Sequence, residues 1–133
     1  VTVVKKRRRR KRGYKRGEYT SSKSGLVFKY RSGWELVYMK HLDVTDEVTS
    51  WSYETIIIPY VSNVKTGKMR KYYPDFHVRL KDKFDILVEI KPKKRVSQVR
   101  VQKKLKAAEE WCRAHDFTFS VITEVELKGL GLL

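Results

Sequence analysis

The sequence predicts an α/β fold, a mixed sheet carrying helices, in the order helix-strand-strand-strand-helix-strand behind a basic N-terminal arm. Three observations predict it. A helix-like apolar segment begins near Ser32. Strand-like segments follow at 51–61 and on both sides of a short polar gap at 81–83. A second helical stretch, Ser97 to His115, leads into FTFSVIT at 117–123. Strands joined by a tight turn run antiparallel, and a strand reached through a helix can lie parallel to an earlier one, so the sheet is mixed.

A chain of 133 residues has room for one domain. Its apolar content of 41% suffices for a core. Lys and Arg number 31 against 15 Asp and Glu, a net charge of +16. Such an excess says little about fold and much about partners, which should be polyanionic, nucleic acid before an anionic membrane. Cys112 is the single cysteine, which excludes an intrachain disulfide and a cysteine-based zinc site and fits a reducing compartment. No apolar run is long enough to span a bilayer, and no signal-peptide pattern opens the chain, so the expectation is a soluble, non-secreted protein.

The basic excess is concentrated at the start. Residues 5–16 read KKRRRRKRGYKR, ten cations in twelve positions. Charges this dense repel and bury nothing, which predicts an extended arm over residues 1–24 and a folded domain over 25–133. Gly13, Gly17 and Gly25, with the Thr20–Ser24 cluster, read as the linker. Lys5, Lys6, Arg7, Arg8, Arg9, Arg10, Lys11, Arg12, Lys15 and Arg16 are candidate contacts to DNA phosphates. A nuclear localisation signal or a solvated tail are the competing readings.

In the first helix, Trp34, Leu36, Val37, Tyr38, Met39 and Leu42 are apolar around most of the circumference, which predicts burial. Glu35 stands out near its start. Ser32 with Glu35 three residues on reads as a capping box; the alternative is an acid aimed at a functional site. WSYETIIIPYV at 51–61 reads as one strand, with Pro59 marking an edge or a bend, and NVKTGK at 63–68 as a loop turning at Gly67.

The hairpin of residues 72–91 carries the chemistry. With Lys81, Asp82 and Lys83 as its loop, Leu80 faces Phe84, paired numbers sum to 164, and Asp75 lies opposite Glu89. Side chains on one face recur every second residue, so Lys91 shares the face of Glu89. Directly opposed carboxylates repel across ~5 Å. A divalent cation between them relieves that repulsion, and Mg²⁺ prefers oxygen ligands. His77 falls on the same face and reads as an ordinary strand position, while Asp82 and Asp85 read as solvated turn charges. After Pro92, the basic bridge KPKKR (Lys93, Lys94, Arg95) and Arg100, Lys103, Lys104 and Lys106 of the second helix are either solvated or phosphate-binding. Val101, Leu105, Ala108 and Cys112 form that helix's apolar stripe, which makes Cys112 a core residue.

Tyr-Pro-Asp-Phe at 73–76 followed by Val-Glu-Ile-Lys at 88–91 resembles the signature of the PD-(D/E)XK nuclease superfamily, and Arg-Ser-Gly-Trp-Glu at 31–35 resembles its upstream helical glutamate motif. More narrowly, YRSGWELVYMKHLD, IIIPY, YYPDF, LVEIKPKK, AAEEWC and FSVITE together look like the head-completion nucleases of tailed phages, from about Phe28 to Glu126. A more distant similarity is to phage junction-resolving endonucleases and to the endonuclease subunit of heteromeric bacterial transposases. The segment between Lys91 and the second helix is short for the phage family.

The resemblance implies a restriction-endonuclease-like core. It also implies that Asp75, Glu89 and the Ile90 backbone carbonyl bind Mg²⁺, with Mn²⁺ as a substitute. Lys91 then positions or activates water, and Glu35 assists metal or water. The function implied is a metal-dependent DNA endonuclease on double-stranded DNA that trims packaged DNA in phage head completion. Portal or neck proteins become partners, and the virion head-neck region or the host cytoplasm the location. The opposing reading is a non-catalytic DNA-binding connector protein of the virion neck. A ribosome-like RNA-binding protein explains the charge but not the opposed acids.

Overall fold

The computed structural model describes residues 16–133. The chain divides into two compact units, the first ending at Thr45 and the second spanning Asp46–Leu133.

In the first unit, β1 (Gly17–Thr20) pairs antiparallel with β2 (Val27–Tyr30), from Gly17↔Tyr30 to Thr20↔Val27. Sequence reasoning placed residues 17–24 in the arm and linker, and here they fold. The cause is an anchor that composition does not reveal. The buried carboxylate of Asp43 accepts the Ser21 hydroxyl at 2.7 Å, the Tyr19 hydroxyl at 2.5 Å and the Ser22 N–H at 2.8 Å. Gly25, at φ 75°, closes the turn, its N–H donating to Ser21 O at 2.8 Å. Of the arm's cations, Arg16 is exposed beside β1, and the rest, Lys5 to Lys15, lie outside the described residues.

Helix α1 (Gly33–Val44) begins where the sequence indicated. The Ser32 side chain accepts the Glu35 N–H at 3.1 Å, satisfying one of the donors that a helix start leaves open. Glu35 Oε1 in turn accepts the Arg31 N–H at 2.7 Å, one residue before the cap.

The second unit is built on a four-stranded mixed sheet, in the order β3 (Val48–Tyr53), β6 (Phe76–Leu80), β7 (Asp85–Ile90), β8 (Thr118–Ile122). Neighbours are antiparallel except β8, which runs parallel to β7 after the α3 crossover (Val99–His115). The expected strand at 51–61 is two strands. Glu54 takes a left-handed backbone, φ 55°, which ends β3. The chain after it forms β4 (Ile58–Asn63), which pairs only with β5 (Lys68–Tyr72) as a separate ribbon. Tyr72, expected in the hairpin, is therefore the last residue of the ribbon, and β6 starts only after Pro74.

The hairpin register is the one its turn length dictates. Phe76↔Val88, His77↔Leu87, Val78↔Ile86 and Arg79↔Asp85 all sum to 164. Leu80 N–H donates to Phe84 O at 2.9 Å, and Lys83 takes the left-handed position, φ 68°, that a three-residue hairpin loop uses. Beyond β7 come the short α2 (Lys93–Val96) and then α3, whose Val101, Leu105, Ala108 and Cys112 are buried as the four-three-four spacing requires. Ile58, Tyr72, Leu87, Ala108 and Cys112 form one core cluster, so ribbon, sheet and helix share their apolar contacts. The C-terminal segment forms α4 (Glu124–Gly129), capped by Thr123 and Glu126, with Leu127 buried. Among the described residues, no helix is long and apolar enough to cross a membrane.

Candidate functional site

Leu80 and Phe84 form a hydrogen-bonded pair, so by alternation 78/86 and 76/88 do too, while 79/85 and 77/87 are the closer-spaced pairs without ladder bonds. The ladder ends at Phe76↔Val88, and Asp75 and Glu89 are the next residues of the two segments. Both are buried, at 6% and 5% exposure. Pro74 lies just before Asp75, outside β6. Proline has no N–H, so the Ile90 carbonyl receives no ladder bond from that position. The Ile90 N–H is claimed instead by the side chain, donating to Asp75 Oδ2 at 2.8 Å. This bond ties Asp75 to the strand that carries Glu89.

Glu89 is held from two other sides. The Tyr72 hydroxyl donates to Oε1 at 2.6 Å, and Lys91 Nζ lies 3.4 Å from Oε2. Burial pushes the Glu89 carboxyl above its usual range, against the pull of the Tyr72 hydroxyl, the Lys91 ammonium and the Asp75 N–H. The same burial, with Glu89 beside it, drives the Tyr72 hydroxyl far above the ordinary phenol range. Lys91 is itself fixed by its backbone, whose N–H donates to Ile122 O of β8 at 3.0 Å.

Tyr72 is the site neighbour that sequence reasoning missed. YYPDF presents two adjacent tyrosines, and only the ribbon decides which turns inward: Tyr72 is buried and Tyr73 is 42% exposed. Asp85, expected as a solvated turn charge, is instead paired. Arg79 Nε and Nη2 reach its two oxygens at 3.0 Å each, and His77 Nε2 lies 2.8 Å from Oδ1. His77 is thereby engaged at the turn side of the hairpin, its ring tilted against Phe117 with centroids 5.1 Å apart. Hydrogen bonding by Arg79 is the main reason the Asp85 carboxyl sits below its ordinary range.

Glu35 is buried in the first unit, and its geometry there is the cap already described. Lys93 and Lys94 are exposed and Arg95 is half-buried on the bridge after Pro92. Lys93 gives its N–H to Glu124 Oε1 at 2.8 Å. Arg100 and Lys103 are exposed and Lys104 half-buried on the first turns of α3. Burial, followed by the nearby ammonium of Lys91, lowers the Lys104 pKa, with Glu89 pulling the other way. Lys104 therefore stands within electrostatic reach of Glu89 and Lys91.

Among the described residues, no group of three or more His, Cys, Asp or Glu side chains gathers as a metal cluster. What the hairpin offers a cation is all oxygen: two buried carboxylates and the carbonyl that Pro74 leaves without a ladder donor. That donor set fits a hard divalent ion, which retains several waters.

Residues 45–124 match the family described as the TnsA-like endonuclease N-terminal domain. The chain is also 34% identical over 124 residues to the head completion nuclease of Enterobacteria phage T4, covering 77% of this chain and 82% of that protein. With the match spanning most of the second unit and the relative most of the chain, the protein belongs to the TnsA-like endonucleases, of PD-(D/E)XK type, and is a homologue of a phage head completion nuclease.

Proposed function

We propose that the protein is a divalent-cation-dependent DNA endonuclease with a restriction-endonuclease-like core. It hydrolyses phosphodiester bonds in double-stranded DNA and trims packaged DNA during phage head completion, before the tail joins. The observation that carries this reading is the buried pair Asp75 and Glu89 at the end of the β6–β7 ladder, Asp75 accepting the Ile90 N–H and Lys91 standing 3.4 Å from Glu89. Asp75, Glu89 and the Ile90 carbonyl would hold Mg²⁺ or Mn²⁺. When bound, the cation supplies Lewis acidity toward the phosphate and lowers the pKa of water.

The chain's own groups do the rest. Lys91 holds developing negative charge on the attacked phosphate and orients the water for in-line attack. Tyr72 and the Asp75 N–H keep the Glu89 carboxylate fixed. The arm and the basic bridge supply affinity through phosphates, without sequence choice. The similarity to a phage head completion nuclease motivates the setting, in which the partners are virion neck or portal proteins and the location is the head-neck region.

Nicking of supercoiled DNA tests the chemistry. Wild type should nick with Mg²⁺ and not with chelator. Asp75→Ala and Lys91→Ala should each lose roughly 10²–10³-fold or more, the scale of removing a group that stabilises transition-state charge. A wild type that never nicks supports the connector reading, and variants that cut like wild type overturn the site.

A further inference from the structure

The β4–β5 ribbon stands apart from the main sheet and faces α3 across a cleft of about 660 Å³. Strand periodicity determines what lines it. On β5, Lys68, Arg70 and Tyr72 share one face, and Tyr60 sits directly opposite Arg70 on β4. On α3, Arg100, Lys103 and Lys104 are spaced three and four apart and so share a helix face. The walls therefore contribute five cations and one tyrosine, and the lining contains no carboxylate. Among the described residues no acid pairs with Lys68, Arg70 or Arg100. Lys103 crosses the gap, its Nζ donating to Ser62 O at 2.9 Å, which shows how closely the walls approach.

Cations collected on two facing walls without a counter-charge repel one another unless an anion lies between them. The cleft's volume suits a small ligand or a short stretch of chain, typically ~300–1,000 Å³. A duplex, whose major groove alone is ~12 Å wide, does not enter. A cationic groove with an aromatic side chain is the pattern that holds single strands, the phosphates on the cations and a base on the ring. The face of β5 that carries Lys68 and Arg70 continues inward to Tyr72, which touches Glu89. The β5 face that lines the cleft thus ends at a residue bonded to Glu89.

We propose that the cleft between the β4–β5 ribbon and α3 binds one unpaired nucleic-acid strand, its backbone on Lys68, Arg70, Arg100 and Lys103 and a base against Tyr60. The inference rests on the nuclease reading for what happens next: the substrate delivered to Glu89 and Lys91 is a frayed, gapped or flapped strand of otherwise duplex DNA. The binding itself needs no cleavage.

The test is fluorescence anisotropy with the full chain in chelator at physiological salt, using labelled oligo-dT and a labelled blunt duplex. Lys68→Gln, Arg70→Gln and Arg100→Gln combined should weaken oligo-dT binding at least tenfold and reduce the salt slope by about 2, three lost phosphate contacts at ~0.7 each. Duplex binding, carried by the arm, should change less than threefold. Tyr60→Ala should weaken oligo-dT binding about fivefold or more, the scale of one lost base stack. Lys81→Gln, Lys83→Gln and Lys128→Gln combined, an equal charge change outside the cleft, should leave both probes within twofold. Unchanged oligo-dT binding in the cleft variants, or an equal loss on the duplex, overturns the proposal. Binding by this route from a protein that never nicks would sink the nuclease reading alone.

Discussion

Replacing Tyr72 by Phe isolates one hydrogen bond in the site. The ring stays in the core cluster with Ile58, Leu87, Ala108 and Cys112, so packing is preserved and only the hydroxyl goes. That hydroxyl donates to Glu89 Oε1 at 2.6 Å from a residue only 5% exposed, so no water easily replaces it. A hydrogen bond to a charged group contributes ~1.5–3 kcal/mol, and its loss leaves a buried oxygen short of a donor. Tyr72→Phe should therefore lose ~1.5–3 kcal/mol in denaturant unfolding at pH 8 in chelator, seen as a lower midpoint with an unchanged slope. Outer partners that orient a metal ligand also affect cation binding by roughly 10–100-fold. Calorimetric Mn²⁺ titration and the Mg²⁺ dependence of nicking should both shift to higher concentration by that factor. A variant with wild-type stability and wild-type cation dependence would show that Tyr72 neither fixes Glu89 nor matters to the site.

Other substitutions probe the scaffold. Leu87 is fully buried, and Leu87→Ala should cost ~2–5 kcal/mol in the same unfolding assay, against near-neutral changes at exposed Lys81. Asp85 has a folded pKa below its ordinary value, so its contribution is present at neutral pH and is lost as pH falls through the lowered value. The stability gap between wild type and Asp85→Asn should accordingly be visible at pH 7 and narrow in acid; a gap that does not change with pH would refute the ion-pair account. Burial pushes the Cys112 thiol up to about 11, so iodoacetamide at pH 8 should label it slowly in the native protein and rapidly in denaturant. Mass spectrometry at fixed times reads the difference.

The parts of the site that were legible in the sequence are those governed by local rules. A three-residue loop fixes hairpin register, and the register from Phe76↔Val88 to Arg79↔Asp85 is the one that the loop length dictates. The α3 stripe and the parallel β8 followed from spacing and connection length in the same way. What stayed hidden depends on a backbone choice with no compositional signature. Glu54 adopts a left-handed φ that glycine or asparagine would have advertised, and at that point the ribbon leaves the sheet. Because nothing in the sequence announces that departure, Tyr72 reads there as another hairpin residue and Lys68 as part of the loop turning at Gly67. The anchoring of residues 17–24 was equally hidden, because it rests on one buried acid, Asp43, more than twenty positions away.

Pro74 joins the legible and the hidden parts. Read alone, a proline inside a strand-like run is a defect, since it removes a donor from the ladder. Here that missing donor has two effects on the same square of backbone. It stops β6 from extending, which separates Tyr72 from the hairpin and leaves it to the ribbon. It also withholds a ladder bond from the Ile90 carbonyl while the Ile90 N–H turns to Asp75 at 2.8 Å. The proline thus allows an oxygen-rich corner to exist where the β6–β7 ladder would otherwise continue. Any other residue at 74 restores an N–H able to compete for the Ile90 carbonyl. Pro74→Ala should consequently fold with native hairpin register and lose affinity for Mn²⁺ in calorimetry. A Pro74→Ala protein that binds Mn²⁺ as tightly as wild type would remove the Ile90 carbonyl from the site and leave the two carboxylates to hold the cation alone.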